Sequence, residues 1–417
     1  MALNPVNGLL YVSVPGSAGP PYGDSIVSID PATGALGTPV YVGSEPDKLA
    51  ISSDGTTLWV GLDGASAIRE VNLTTGTAGM QFSLGDNAGL YDFPPFVHAI
   101  AVLPGTDNSI VASVTTNNGL YEDLLTIYDS GVPRANTIAM STISSLPAIF
   151  VNPSTAEVYA TSYESGYQVL SYNASGLSHL AGNSGTSNFS ANYGTAVQVD
   201  NGNAYLDTGV VLSAETGALE GTFYSSGTTV ATGPMVSDST LGKNFILVGK
   251  SSQSGSSTAP MTIEAFNEST YTPDASDAVP VNGALSGVKY GSGNSTETEL
   301  NGNNNIDTLV RWGSNGLAFR AANGIFSLRS NAVKDLSTTS ADLGVSLSAP
   351  ASAAAGSNFT VTAAIVNNGP STVTNAVMTA TVPAGTTPIS ATCRRPFPFS
   401  AAAARWRFAE RLLRCGA

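Results

Sequence analysis

The chain of 417 residues carries a formal net charge of −14 at pH 7, and charged residues make up only 11% of it. That acidity argues against nucleic acid or an anionic membrane surface as a partner, because such binding needs a basic face. The hydrophobic content of 42% argues against disorder. No apolar run reaches the roughly 18 residues that a transmembrane helix needs.

Short strands joined by turns are predicted from the N-terminus onward. The criterion is alternation of apolar and polar residues, rich in β-branched and aromatic side chains, between Gly, Pro, Asn and Asp. The second unit shows four such strands, at 48–52, 57–62, 67–72 and 80–84. Four antiparallel strands make one blade of a β-propeller.

The unit recurs along the first 330 residues. Its third strand is predicted at Ile29, Val71, Ile127, Leu170, Leu212, Ala265 and Phe326. Repeats roughly 40–60 residues apart are typical of propellers and solenoids. The sequence therefore predicts an all-β fold with a seven-bladed β-propeller over residues 1–330, and six or eight blades stay open as alternatives.

Two segments of the blades carry a family resemblance. Asn4-Pro5 precedes Leu10-Tyr11-Val12, and Ile29-Asp30 precedes Thr33-Gly34. With these segments the chain resembles the bacterial YVTN-type, WD-like β-propeller repeat proteins. The resemblance implies the fold and little about activity, because such propellers share their architecture far more than their function.

A change of composition follows the last blade. Residues 331–340 are a polar linker, and residues 341–392 alternate like the strands of a sandwich around the turn Asn367-Asn368-Gly369-Pro370. This segment resembles the Ig-like repeat of bacterial surface proteins, of which only about half is present. We therefore predict a partial Ig-like β-sandwich, and the resemblance implies a stalk that carries the propeller as its head.

The last segment, 393–417, differs from the rest of the chain in holding six of its arginines and a single acid, Glu410. We interpret this atypical basic tail as a frameshift or an artefact and assign it no function. The alternative is a basic amphipathic helix over Ala401 to Leu413 at a membrane surface.

Extracellular or cell-surface localisation is predicted from the cysteines. Cys393 and Cys415 both lie in the tail, and a body without thiols suits a secreted protein. No signal peptide is visible. Since Met1 to Leu3 correspond to Leu49 to Ile51 inside a strand of the next unit, we expect a truncated N-terminus.

Side chains suited to catalysis are few. His98 and His179 are the only histidines, and no G-x-S-x-G nucleophile elbow exists. His98 lies at the mouth of an inner strand with no partner visible in the sequence, and we interpret it as structural. The segment 301–307 offers one carboxylate, fewer than a calcium loop needs. The sequence predicts no catalytic residue, metal or cofactor, and it favours a protein that is not an enzyme without deciding the point.

A binding surface is predicted from blade topology. The loop between the second and third strands and the loop into the next blade lie on one face, where the longest insertions fall. Their aromatic and acidic residues are Tyr22, Tyr91, Asp92, Phe93, Phe96, Tyr121, Glu122, Asp123, Tyr163 and Glu164. Aromatic rings beside carboxylates can stack on and hydrogen-bond a sugar or peptide. The alternative is that the tyrosines seal long loops over the core.

We therefore interpret the chain as an extracytoplasmic, non-catalytic binding or surface-display protein, a monomer that presents a polysaccharide, cell-wall or protein ligand site on its propeller. One alternative is a propeller-type lactonase or lyase, because such enzymes share the resemblance. That chemistry needs several convergent His, Glu, Asp or Arg side chains at inner-strand mouths, and histidine and arginine are scarce here. The other alternative is a pure structural scaffold.

Overall fold

The computed structural model describes residues 1–85, 94–106, 108–115, 122–141, 148–152, 155–162, 166–180, 196–248, 262–278, 309–321, 324–333, 343–367, 377–380, 385–387, 389–390, 405–408 and 411–414. The chain divides into two compact units, Met1–Val333 and Lys334–Ala417. In its described residues, the first unit contains seven larger antiparallel sheets, which we number as blades 1 to 7, and one two-stranded hairpin.

The first three blades have these strands. Blade 1 consists of β1 (Ala2–Leu3), β2 (Leu10–Val14), β3 (Ser25–Ile29) and β4 (Val40–Tyr41). Blade 2 consists of β5 (Pro46–Ile51), β6 (Thr57–Leu62), β7 (Ala67–Asn72) and β8 (Thr77–Ser83). Blade 3 consists of β9 (Val97–Val102), β10 (Ser109–Thr115), β11 (Glu122–Asp129), β12 (Val132–Pro133) and β13 (Ile138–Ser141), the last two both pairing with β11.

The next two blades are four-stranded. Blade 4 consists of β14 (Ala148–Val151), β15 (Glu157–Ser162), β16 (Gly166–Asn173) and β17 (Gly176–His179). Blade 5 consists of β18 (Val197–Asp200), β19 (Asn203–Leu206), β20 (Val210–Ser213) and β21 (Leu219–Thr222). A short hairpin, β22 (Tyr224–Ser226) and β23 (Thr229–Val230), follows blade 5.

The last two blades complete the first unit. Blade 6 consists of β24 (Met235–Asp238), β25 (Lys243–Val248), β26 (Thr262–Asn267) and β27 (Pro273–Ala278), and blade 7 has β28 (Leu309–Trp312), β29 (Gly316–Ala321) and β30 (Gly324–Arg329) in the described residues. Three short 3-10 turns lie at Gly16–Ala18, Asp63–Ala65 and Asn331–Val333. Across the described ranges, no helix has the length and hydropathy to cross a membrane.

The first strands of the seven sheets form a closed ring. Going around it, β1, β5, β9, β14, β18, β24 and β28 each contact the next, and β28 contacts β1 again. Sheets that meet along their first strands around a central axis are the blades of a propeller. The prediction of a seven-bladed propeller is confirmed, and each of the seven predicted third-strand positions lies on the third strand of its blade.

Apolar side chains fill every junction between neighbouring blades. Strand β6 shows how: all six of its residues are buried, with Val60 packing against Ile26 of blade 1 and Trp59 against Ile110 of blade 3. Because successive side chains of a strand point to opposite faces, one strand serves two junctions. The apolar clusters at the other junctions include residues from both neighbouring blades: Ile127 and Val158, Val169 and Val199, Tyr205 and Phe266, Phe245 and Leu317, and Trp312 and Leu10.

The Asp-x-x-Thr-Gly segment forms the turn that closes the third strand of blade 1. The backbone N–H of Ala32 donates to Asp30 Oδ1 at 2.8 Å, and Thr33 Oγ1 donates to Asp30 Oδ2 at 2.7 Å. Gly34 follows with φ at +74°, a conformation that a residue with a Cβ seldom adopts. The motif therefore encodes a turn rather than a binding site.

The C-terminal unit contains five described strands. They are β31 (Leu343–Ser348), β32 (Thr362–Asn367), β33 (Val377–Ala380), β34 (Arg405–Phe408) and β35 (Arg411–Arg414). Strand β31 pairs antiparallel with β32, and β33 pairs parallel with β34. The suggested helix over Ala401 to Leu413 is wrong for the described residues, because β34 and β35 pair as an antiparallel hairpin. The partial Ig-like sandwich stays a prediction.

Phe223 tests the packing between blades 5 and 6. Its fully buried ring lies 4.8 Å from the ring centroid of Phe266 and 6.0 Å from that of Tyr271. We expect Phe223→Ala to lower the free energy of unfolding by about 3–5 kcal/mol, because it leaves a cavity in the junction. Urea denaturation of the full chain measures this. The adjacent Tyr224 is 42% exposed, and Tyr224→Ala should cost less than about 1 kcal/mol. Equal losses in both variants would contradict the packing described.

Candidate ligand-binding face

The sequence-predicted binding residues are only partly within the described structure. Tyr91, Asp92, Phe93, Tyr121, Tyr163 and Glu164 lie outside the described residues. Glu122 begins strand β11, and its side chain is likewise outside the description. Tyr22, Phe96 and Asp123 are described, and they lie at the same ends of the strands. We call this side of the propeller the long-loop face. It carries the loops that join second to third strands and the loops that lead from each blade to the next.

On blades 1 and 2, hydrogen bonds connect three of these loops. The backbone N–H of Glu45 donates to Asp24 Oδ1 at 3.0 Å, and the backbone N–H of Asp63 donates to the Glu45 carbonyl at 3.0 Å. Tyr22 lies in the first loop with 38% of its surface exposed. We call Tyr22, Asp24, Glu45 and Asp63 the acidic rim. It combines one exposed aromatic ring with three carboxylates.

The charge of this rim affects Asp63. The pKa of Asp63 is raised to about 7, mainly by burial and also by the neighbouring carboxylates of Asp47 and Glu45, while Lys48 acts in the opposite direction. Asp63 Oδ1 has no hydrogen-bond partner among the described residues. Lys48 is itself paired with Asp47, at 3.5 Å. The acidic rim is therefore a region of negative potential, and the nearby Lys48 does not neutralise it.

On blade 3, His98, Ser113 and Asp123 form a buried network. His98 Nδ1 lies 2.7 Å from Asp123 Oδ2, and Ser113 Oγ donates to the same oxygen at 2.5 Å. Asp123 is 1% exposed. The ring of Phe96 meets the His98 ring edge-on, at 4.8 Å between centroids. Asp123 thus directs its carboxylate into the blade, where it joins the first, second and third strands at their long-loop ends.

A bulge in β9 positions His98. Ala99 pairs with Ser113 and Val97 pairs with Val114, so β9 has one residue more than β10 over this step. An extra residue in one strand re-aims its side chain out of the ordinary alternation. The sequence placed His98 at this strand mouth but showed no partner, because Asp123 lies 25 residues away and the bulge leaves no local pattern.

This network differs from a nucleophilic triad. In a Ser-His-Asp triad the serine hydroxyl donates to the imidazole and the carboxylate receives the other ring nitrogen. Here Ser113 donates to the carboxylate, so the imidazole does not activate the hydroxyl. Within the described ranges, no three or more His, Cys, Asp or Glu side chains converge as a metal site requires.

A cavity of about 400 Å³ lies along the central axis. Its lining, from the first strands and the residues beside them, is Leu3, Phe150, Ala196, Val197, Gln198, Met235, Val236, Leu309, Val310 and Arg311. The two polar members are committed to the protein: Gln198 Oε1 accepts from the Ser237 backbone at 2.9 Å, and Arg311 Nε donates to Asp238 at 3.1 Å. The described wall is therefore mostly apolar.

Asp123→Ala tests the buried network. It removes the acceptor of both His98 and Ser113, and we expect a loss of about 2–3 kcal/mol in the free energy of unfolding. Asp129, at the other end of β11, pairs with Arg134 at 2.8 Å with 45% of its side chain exposed. Asp129→Ala should cost about 1 kcal/mol or less. Chemical denaturation of the two variants compares them, and an equal cost would show that the network contributes no more than a surface ion pair.

Asp63→Asn tests the charge of the acidic rim. A carboxyl whose folded pKa is raised contributes stability below its unfolded pKa and loses it as pH rises through the folded value, here about 7. The neutral amide should therefore stabilise the protein on the order of 1–2 kcal/mol at pH 8 and give no gain at pH 4. Thermal unfolding at both pH values measures the difference. A gain that is the same at both would refute the electrostatic account.

Comparison with known proteins gives similarity of fold only. No family model matches the chain, and no curated protein matches it. A solved structure of the dihydro-heme d1 dehydrogenase NirN in complex with DHE is similar at a TM-score of 0.42 and 15% identity, over 67% of this chain and 56% of that one. The Cps50 (Swd1) β-propeller domain of Myceliophteria thermophila is similar at a TM-score of 0.45 and 9% identity, over 73% and 90% of the two chains. The chain spans little more than half of the NirN chain, and no function is carried over from either structure.

Proposed function

We propose that this protein is an extracytoplasmic, non-catalytic binding or surface-display protein whose propeller presents the long-loop face to a ligand. The observation that carries the proposal is the acidic rim. There the exposed ring of Tyr22 lies on the loop that contacts Glu45 through Asp24. An exposed aromatic ring beside hydrogen-bond acceptors, held on a rigid scaffold, is the chemistry of a carbohydrate- or peptide-binding surface.

The negative potential of the rim limits the chemical classes of ligand that can bind there. Burial is the main reason that the anionic form of Asp63 is disfavoured, and the carboxylates of Asp47 and Glu45 add to it. These carboxylates would also repel a further anionic group. A neutral polysaccharide can donate hydroxyl protons to these carboxylates, and a peptide can donate ammonium or guanidinium protons. The proposed ligand is therefore a neutral polysaccharide or cell-wall fragment, or a basic segment of a protein.

Display at the cell surface rests on two resemblances in the sequence. The blade motifs resemble the bacterial YVTN-type propellers, and residues 341–392 resemble part of an Ig-like surface-protein repeat. The C-terminal unit is a compact body separate from the propeller. These resemblances support display at the cell surface, and we propose that the protein acts outside the cell as a monomer.

A propeller-type lactonase or lyase is less well supported. Its chemistry requires several ionisable side chains that converge where the first strands begin. At that end, the described first strands carry Asp47 and Lys48 in blade 2 and His98 in blade 3. Lys48 is paired with Asp47 and His98 with Asp123. Blades 4 to 6 begin their first strands with Ala148, Val197 and Met235. The ionisable residues at the beginnings of the first strands therefore support a binding surface better than a catalytic site.

The test measures binding of the full chain to a panel of neutral and acidic polysaccharides, cell-wall fragments and basic peptides. We expect Tyr22→Ala to weaken binding about tenfold, equal to ~1.4 kcal/mol, because the stacking surface is lost. Leu36→Ala is the control, since Leu36 is a 56% exposed apolar residue of the same blade that bridges Ile29 at the opposite ends of the strands. It should bind like the unaltered protein.

A second variant covers the rest of the predicted face. The triple replacement Tyr91→Ala, Tyr121→Ala and Tyr163→Ala should also weaken binding while the circular dichroism spectrum stays unchanged. Equal affinity of all variants would move the site away from the long-loop face. Absence of binding to the whole panel would reject the proposed ligand classes and favour the scaffold or enzyme alternatives.

A further inference from the structure

On the face opposite the long loops, a serine hydroxyl lies between two carboxyl groups. Ser237 Oγ is 2.8 Å from Asp200 Oδ2 and 2.8 Å from Glu268 Oε1. Ser237 is 8% exposed and Glu268 6%. Both distances are those of full hydrogen bonds. The arrangement must therefore supply a proton to each contact.

The serine can supply only one of these protons. A hydroxyl donates a single hydrogen and accepts others, whereas an ionised carboxylate only accepts. Asp200 Oδ2 also accepts the backbone N–H of Ser239 at 2.8 Å, which favours its ionised form. Both contacts are satisfied when Glu268 carries a proton that it donates to Ser237 Oγ while the Ser237 hydroxyl donates to Asp200.

This chain of hydrogen bonds crosses a blade junction. Asp200 ends strand β18 of blade 5, whereas Ser237 lies on β24 and Glu268 follows β26, both in blade 6. A second bond runs alongside, from the Ser237 backbone N–H to Gln198 Oε1 of β18 at 2.9 Å. The Glu268 backbone N–H is held by the Gly242 carbonyl at 3.0 Å. The carboxyl of Glu268 is thus fixed at the junction by its own backbone.

The surroundings favour a neutral Glu268. Burial raises the pKa of this carboxyl, the nearby charges of Asp200 and Asp238 raise it as well, and the hydrogen bonds from Ser237 and Tyr205 act in the opposite direction. The neighbouring cations are engaged elsewhere: Arg311 with Asp238 at 3.1 Å, and Lys243 with Asp274 at 2.6 Å. The Tyr271 hydroxyl, which also faces this site, brings no positive charge.

The geometry points to a proton-dependent latch between blades 5 and 6, in which Glu268, Ser237 and Asp200 are joined through one bound proton. When that proton leaves, one hydroxyl faces two carboxylate anions and the anions repel each other across the junction. Because the folded state holds the proton more tightly than the unfolded state, the latch contributes its full stability in acid. That contribution is lost as pH rises through the folded pKa of Glu268. The latch is independent of the proposed ligand-binding function.

Hydrogen exchange of the full chain at several pH values tests this proposal. After correction for intrinsic exchange, the amides of 235–238 should open more readily as pH rises, by up to about tenfold per pH unit between the unfolded and folded pKa values. Glu268→Gln keeps a donor to Ser237 and cannot ionise, so its opening should not change with pH. Glu220→Gln, which removes an exposed carboxyl on β21 of blade 5, is the matched control and should respond like the unaltered protein.

All variants carry Asp63→Asn, which removes the other raised carboxyl from the pH response. If amide opening in the Glu268→Gln variant depended on pH as it does in the protein that retains Glu268, the latch proposal would be rejected. So would a Glu268 carboxyl that titrates in the ordinary range of glutamates when followed by carbon NMR. If Glu268→Gln does not fold, the Asp200→Asn variant provides the test. Because the charge of Asp200 raises the pKa of Glu268, its removal should move the pH dependence of amide opening to lower pH, and an unchanged pH dependence would reject the proposal.

Discussion

Apolar contact between neighbouring sheets is the constraint on which this protein depends. Each blade must bury both of its faces, one against the blade before and one against the blade after. Strand β6 satisfies this with six buried residues in succession. The ring closes where Leu10 of blade 1 packs with Trp312 of blade 7. Residues more than 300 positions apart in the chain thereby become parts of one continuous core.

This constraint drives polar chemistry to the ends of the strands. A side chain in mid-strand meets an apolar neighbour, so an unpaired polar group there would cost roughly 1–3 kcal/mol. At the long-loop ends Asp123 satisfies His98 and Ser113, and at the opposite ends Ser237 links Asp200 with Glu268. In each case, hydrogen bonds from partners brought together by the fold offset part of the cost of burying a carboxyl group; Asp123 Oδ1 has no partner among the described residues.

The two networks differ in the strands that they connect and in whether every hydrogen bond has a proton. Asp123 receives both of its donors within one blade, at the first and second strands, and the network fastens that blade to itself. The contact of Ser237 with Asp200 crosses between two blades, the contact with Glu268 stays within blade 6, and the pair of contacts lacks one proton if both carboxyls are ionised. The acidic rim differs from both networks, because Asp63 lies near two further carboxylates, Asp47 and Glu45. It lies on the long-loop face of the propeller.

Much of the fold could be predicted from local sequence. The third strands were predicted correctly because apolar alternation and Asp-x-x-Thr-Gly turns are short-range signals, as Asp30 and Gly34 show. The partner of His98 could not be predicted in this way. It depends on a one-residue bulge and on a pairing between strands 25 residues apart, neither of which leaves a periodic trace. The suggested helix at Ala401 to Leu413 failed for a related reason, since hairpin pairing overrode a helical pattern of arginines.

The sequence by itself determined the third strands of the blades, their turns and the general position of the long loops, because each of these follows from residues close together in the chain. It favoured seven blades over six or eight, and the closure of the ring in the structure settled the number. Only the tertiary structure decided which ionisable groups meet. It brought Asp24 to Glu45, His98 to Asp123, and Asp200 to Glu268 through Ser237. Such meetings are set by the closure of the ring and by strand register, and a change of one residue in register would send each side chain to the other face.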